Sequence, residues 1–140
     1  MKYKLLYFCL AVGASIVFLT GCGEKNTDDP IKAFTYWAEG PPTTDVTPIH
    51  GNYWESSHFT REYKAFLEFS ATQKWIAEYI KQNNLVRCTN CASVTLPLDV
   101  PNWFSPNKNC VQLLRKEDNF GNMYFYDTVK SKMFIYEEQL

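Results

Sequence analysis

The sequence lacks any excess of basic residues. Its 140 residues include 14 Lys and Arg against 15 Asp and Glu, for a formal charge of −1. A nucleic-acid-binding surface needs clustered positive charge to neutralise phosphates. The composition therefore excludes a nucleic-acid partner. The chain also shows no internal repeat and no low-complexity tract, so a single globular domain is expected.

The sequence also lacks an apolar run long enough for a stable membrane span. The longest apolar run, Leu5 to Leu19, reads "LLYFCLAVGASIVFL", carries no charge and follows Lys2 and Lys4. A helix needs about 20 apolar residues to cross a bilayer core. A basic flank, a short apolar segment and small residues behind it are typical of an export signal.

The four residues that end this segment, Leu19, Thr20, Gly21 and Cys22, resemble the lipobox of bacterial lipoproteins. The resemblance implies a signal peptide over residues 1–21, cleavage between Gly21 and Cys22, and a diacylglyceryl group on the Cys22 sulfur. It also implies an acyl chain such as palmitate on the new amino terminus. The alternative is an ordinary secretory signal whose mature chain happens to begin with cysteine.

The same resemblance predicts a location in the bacterial cell envelope. Gly23, rather than aspartate, follows the modified cysteine, which favours the outer membrane over the inner one. The folded part is then expected in the periplasm or at the cell surface. Acidic residues near the anchor, such as Glu24, Asp28 and Asp29, accompany surface display in some bacterial groups.

The mature chain divides into a tether and one domain. Residues 22–48 contain polar, proline-bearing stretches and are expected to form a lipid-anchored, partly ordered tether. Fully flexible, about 26 residues would span on the order of 28 Å. The apolar segment Ile31–Trp37 interrupts this tether and is predicted to dock as a short strand or hook. Residues 49–140 are predicted to form a single domain.

The predicted fold class is α+β, with one amphipathic helix packed on a face of an antiparallel sheet of about four strands. The helix, about Thr72–Gln82, follows a capping box of Ser70 and Gln73 and ends at Asn83 and Asn84. The strands are "REYKAFLEF", "CVQLLR", "NMYFYDTV" and "KMFIYEEQ", and the last two form a hairpin around Lys130 and Ser131.

The body of the chain is similar to a group of small bacterial lipoproteins without assigned activity. The segments that carry this resemblance are "SHFTREYKAFLEFSATQKWIAEYIKQNN", "DVPNWF" and "YFYDTV…FIYEEQL". The resemblance supplies no catalytic residue.

The cysteines of "CTNC", Cys88 and Cys91, allow three interpretations. With Cys110 as partner, either one could form a structural disulfide in an oxidising envelope. A redox dithiol would need a helix after the motif, but "ASVTLPLDVP" follows. A zinc site would need further ligands, and only Cys110, His50 and His58 are available, with no regular spacing. The structural disulfide is preferred, and no metal or cofactor is expected.

Two further segments are candidate sites. "YWESSHF" contains Glu55, Ser56, Ser57 and His58, a set that could supply a nucleophile and a base, although neighbours in sequence seldom converge in space. "VPNWFSP" presents Trp103 and Phe104 on a proline-stiffened loop, which suits a binding anchor as well as a cap on the core.

These observations predict a non-enzymatic, membrane-anchored binding protein with a protein partner in the envelope, of inhibitor or immunity type. Two alternatives remain. One is a structural accessory subunit that docks through Ile31–Trp37 or the final strand by strand addition. The other is a thiol enzyme that uses Cys88 and Cys91.

Overall fold

We describe the fold from a computed structural model, which describes residues 23–58, 60–89, 95–115 and 121–140. Within these residues the chain forms seven strands and two helices. Their bounds, in chain order, are β1 (Lys25–Thr27), α1 (Pro30–Ala38), β2 (Val46–Glu55), β3 (Tyr63–Ala71), α2 (Gln73–Gln82), β4 (Leu85–Arg87), β5 (Cys110–Arg115), β6 (Met123–Asp127) and β7 (Lys132–Gln139).

All the strands belong to one antiparallel sheet in the order β1-β2-β3-β7-β6-β5-β4. The prediction of about four strands with one packed helix is therefore wrong. The sequence pattern missed β2 because Pro48 and Gly51 interrupt it, and both residues disfavour a strand interior. It missed β1 and β4 because three residues are too few to show an alternation.

The segment Ile31–Trp37 docks on the domain as predicted, but it does so as part of helix α1 and not as a strand. Asp29 caps the helix by accepting a hydrogen bond from the Lys32 backbone N–H at 2.8 Å, and Pro30 occupies the first turn. Ala33 and Phe34 are buried in the core. Most of the expected tether therefore belongs to the folded domain. Strand β1 pairs with β2, and helix α1 contributes to the core.

Helix α2 confirms the predicted helix and its apolar face. Ile76 is buried, and Trp75, Tyr79 and Ile80 pack beside it. The N-cap differs from the prediction, because Ser70 still belongs to β3 and Thr72 accepts the hydrogen bond from the Trp75 backbone N–H at 3.3 Å. Asn83 ends the helix and Asn84 adopts a φ of 52°, as the sequence predicted.

The sheet is covered on both faces. Side chains alternate along a strand, so Tyr63, Ala65, Leu67 and Phe69 of β3 face the two helices. Phe66 of the same strand faces the other side. There it joins an aromatic cluster, hereafter the aromatic face, formed by Phe66, Phe104, Phe125, Phe134 and Tyr136.

The strand register defines two ends of the sheet. Lys25 lies opposite Glu55, Glu55 opposite Tyr63, and Tyr63 opposite Gln139, so these residues share one end, called here the Lys25 end. The opposite end, called here the Asp127 end, carries Cys110, Asp127, Lys132 and Ser70 in register. A nine-residue strand such as β3 separates the ends by about 30 Å.

None of the helices in the described part of the chain is long and apolar enough to cross a membrane.

Candidate functional site

The proline-rich loop that was predicted as a binding loop lies across the aromatic face. Phe104 is buried, with its ring edge-on to Phe66 at 5.4 Å and to Phe134 at 5.9 Å between ring centroids. Its backbone N–H donates to the Pro101 carbonyl at 2.9 Å. Phe104 is therefore a core residue that attaches the loop to the sheet.

Trp103 has a different environment from its neighbour. It is half-buried, and its ring stacks on the imidazole of His50 with centroids 5.1 Å apart and an interplanar angle of 16°. His50 belongs to β2, at a position where the register with β3 shifts. The structure thus brings one of the predicted binding residues onto a histidine that sequence reasoning had considered only as a metal ligand.

Glu68 fixes the position of that histidine. Its carboxylate is buried on the same face of the sheet, 2.8 Å from Nδ1 of His50. Its other oxygen accepts a hydrogen bond from Nζ of Lys132, also at 2.8 Å. With both carboxylate oxygens engaged, Glu68 orients the imidazole and so the surface on which Trp103 stacks.

A second contact between the loop and the sheet, an ion pair, lies nearer the start of the loop. Lys64 Nζ is 2.8 Å from the Asp99 carboxylate and 3.2 Å from the Glu138 carboxylate. The hydrogen bond with Asp99 raises the pKa of Lys64 and lowers the pKa of Asp99, so both groups are charged at neutral pH. Leu98, the residue immediately before Asp99, is fully exposed. Leu98, Trp103 and His50 together are called here the loop face.

The residues predicted as a nucleophile and base do not converge. Ser56 is buried and its hydroxyl donates to the Thr60 carbonyl at 3.4 Å, whereas Ser57 is exposed. His58 is exposed, with Nδ1 3.9 Å from the Glu62 carboxylate. Glu55 instead belongs to a charged cluster at the Lys25 end.

That charged cluster lines a cleft of about 490 Å³. Glu55 lies 2.7 Å from Lys25 Nζ and 3.3 Å from Arg61 Nε, and it also accepts a hydrogen bond from the Tyr53 hydroxyl. Partial burial opposes ionisation of Glu55, but the hydrogen bonds from Lys25 and Tyr53 outweigh it and lower the pKa. Burial, assisted by Glu55, raises the pKa of Tyr53 to about 12. Arg61 also pairs with Glu39.

A buried carboxylate that sequence reasoning missed lies under the helices. Glu137 of β7 accepts hydrogen bonds from Trp37 Nε1 at 2.9 Å, the Tyr63 hydroxyl at 3.0 Å and the Tyr124 hydroxyl at 2.7 Å. Burial, assisted by this carboxylate, raises the pKa of both tyrosines. The alternation of "FIYEEQ" could have revealed it, because Glu137 shares the face of Ile135. The contacts make it a structural tie among α1, β3, β6 and β7.

The cysteines do not form the expected bridge from Cys110. Cys110 is a free, half-buried thiol whose pKa is raised, chiefly by burial. Cys88 is disulfide-bonded. The predicted sites at Gly21, Cys22 and Cys91 lie outside the described residues. Within the described ranges, no three His, Cys, Asp or Glu side chains come together as metal ligands, so His50, His58 and Cys110 do not share a site.

Comparisons of the chain with protein-family models, with curated proteins and with solved structures find no match.

Proposed function

We propose that this chain is a lipid-anchored protein of the bacterial cell envelope, with the outer membrane favoured, and that it binds another protein rather than catalysing a reaction. The sequence Leu19-Thr20-Gly21-Cys22 supports the anchor through its resemblance to a lipobox. An inhibitor or immunity-type role fits a small folded body of this kind.

The observation that carries the binding proposal is the stacking of Trp103 on His50, in a loop attached to the sheet at two points. Binding energy in protein interfaces is concentrated in aromatic anchors. Less conformational entropy is lost on binding when such an anchor is already rigid. Trp103 is held in place by its stacking on His50, which Glu68 orients, and by packing against the aromatic face, while part of its ring stays exposed.

Neither of the two segments expected to dock an accessory subunit by strand addition is an unpaired strand. Strand β7 pairs with β3 on one side and with β6 on the other, so it has no free edge to accept a partner strand. The segment Ile31–Trp37 is a helix with Ala33 and Phe34 in the core. The loop face is therefore the better-supported interaction surface.

The test is site-specific crosslinking of the full chain in native membranes. A photo-reactive amino acid placed at Leu98, which is fully exposed, should capture one dominant envelope protein. Trp103→Ala should reduce that crosslink at least tenfold, which corresponds to about 1.4 kcal/mol of binding free energy.

The matched control is Val129→Ala, which removes an exposed apolar side chain at the Asp127 end and should leave the crosslink unchanged. Thermal unfolding of each variant establishes that the domain remains folded. An undiminished crosslink in folded Trp103→Ala protein would contradict the assignment of binding to the loop face.

A further inference from the structure

We propose that the Lys25 end of the sheet lies directly on the phospholipid headgroups in a fixed orientation, with no flexible tether between the lipid and the fold. The proposal rests on the lipid attachment at Cys22 proposed above. It identifies the bilayer surface as the partner of this end of the molecule.

The first support is the length of chain available. Strand β1 begins at Lys25, so only Gly23 and Glu24 separate it from Cys22. Three residue steps span at most about 10 Å when fully extended. The separation of about 28 Å expected for a flexible tether is therefore not available to this fold.

The second support is that Glu24 and Lys25, where this short connection meets the sheet, both bond to strand β2. The Glu24 carboxylate accepts a hydrogen bond from Nε1 of Trp54 at 2.7 Å. Lys25 pairs with Glu55 through both backbone register and a 2.7 Å side-chain contact. The chain therefore leaves the sheet at a defined point, and the lipid must lie beyond the Lys25 end.

The third support is the charge at this end, which does not favour anionic headgroups over zwitterionic ones. Both Lys25 and Arg61 pair with Glu55, and Arg61 pairs with Glu39 as well. These two cations and two carboxylates cancel, and the Glu24 and Glu62 carboxylates leave this end without a net positive charge. Because attraction to anionic lipid requires clustered basic residues, contact at this end should not require anionic lipid.

The orientation leaves the loop face accessible. His50 lies five residues from Glu55 along β2, which places it about 17 Å from the Lys25 end. Trp103, which stacks on His50, lies at a similar distance from the Lys25 end. A protein partner would then approach the side of the sheet while the Asp127 end points away from the membrane.

The experiment uses the lipidated full chain, reconstituted in phosphatidylcholine vesicles that carry a short-range fluorescence quencher on the headgroups. A fluorophore is attached through Ser57→Cys at the Lys25 end or through Val129→Cys at the Asp127 end, each with Cys110→Ser to remove the free thiol found among the described residues. Quenching should be at least threefold greater at position 57 than at position 129. Equal quenching at the two positions would overturn the proposal.

A matched variant with ten Gly and Ser residues inserted between Gly23 and Glu24 tests the role of the short connection. The insertion should bring quenching at position 57 close to that at position 129. A difference that survives the insertion would show that the connection does not set the orientation, and would overturn the inference.

Flotation of the unlabelled chain with the vesicles separates this inference from the function on which it rests. A chain that floats but shows equal quenching is anchored without a fixed orientation, which contradicts this inference alone. A chain that carries no lipid and does not float contradicts the anchor itself, and both proposals then fail.

Discussion

Glu137 shows how one buried carboxylate ties several elements together. Its donors come from Trp37, Tyr63 and Tyr124, and Arg115 lies 3.8 Å from it. Removing the acceptor would leave buried donors without a partner, which costs more than the net value of the bonds themselves.

We therefore expect Glu137→Leu to lower the free energy of unfolding by about 3–5 kcal/mol. Urea denaturation followed by circular dichroism measures this loss. Glu78→Ala, on the exposed side of α2, is the matched control and should change stability by no more than about 0.5 kcal/mol. A Glu137→Leu protein as stable as this control would show that the carboxylate is not a structural tie.

Several site residues could be identified from sequence, but their roles could not. Trp103 and Phe104 were found through the prolines around them, yet adjacent aromatic residues give no sign of which one is buried. The stacking of Trp103 on His50 joins residues 53 positions apart in the chain. Such a contact depends on strand register, which composition and spacing do not contain.

At the scale of elements, helix α1 packs very closely on strand β2. A Cβ atom added at Gly51 would lie 2.6 Å from the Ala33 Cβ and 3.1 Å from the Pro30 Cα. Both are parts of the helix that cannot rotate away. Gly51 is therefore needed for close approach of the two elements.

We expect Gly51→Ala to destabilise the protein by about 1–3 kcal/mol, because the helix must shift away from the sheet. Gly40→Ala is the matched control, since a Cβ there would meet nothing within 4 Å. Thermal and urea unfolding of both variants measure the difference. Equal stability of the two variants would contradict the close packing of α1 on β2.

The sequence predicted elements whose pattern is long and regular. Helix α2 and strands β3, β5, β6 and β7 were found because their apolar residues recur at the helical or strand period. Helix α1 was not predicted because the apolar run Ile31–Trp37 within a polar stretch indicates docking but not its secondary structure, although Asp29-Pro30 is a helix-start signal. Strand β2 was missed because Pro48 and Gly51 interrupt its sequence pattern.

At the scale of the whole molecule, ionised carboxylates make stability depend on pH. The pKa of Asp127 is lowered, first by the hydrogen bond from Asn107 and then by those from the Lys130 and Val129 backbone N–H groups. Those of Glu55 and Asp99 are lowered as well. A carboxylate with a lowered pKa in the folded state contributes stability above its unfolded pKa and loses it as pH falls.

We therefore expect the free energy of unfolding to be nearly constant from pH 7 to about pH 5 and to fall as pH decreases below the ordinary values of 4.5 for Glu and 3.8 for Asp. Urea titrations at a series of pH values measure this slope, and Asp127→Asn should make it shallower. A protein whose stability rises on acidification would contradict the charged networks described here.

The whole molecule also has no long segment between the proposed lipid attachment and the first strand of the fold. With β1 in the sheet and α1 in the core, the fold begins almost at the proposed lipid attachment. Both the proposed envelope location and the proposed orientation on the membrane then depend on one covalent event at Cys22.

The most direct test is the intact mass and amino-terminal sequence of the chain purified from bacterial membranes. We expect a mature chain that begins at Cys22 and carries a diacylglyceryl group together with an acyl chain, whereas Cys22→Ser protein retains residues 1–21 and carries no lipid. A mature chain that begins elsewhere, or that begins at Cys22 without lipid, would contradict the proposed anchor.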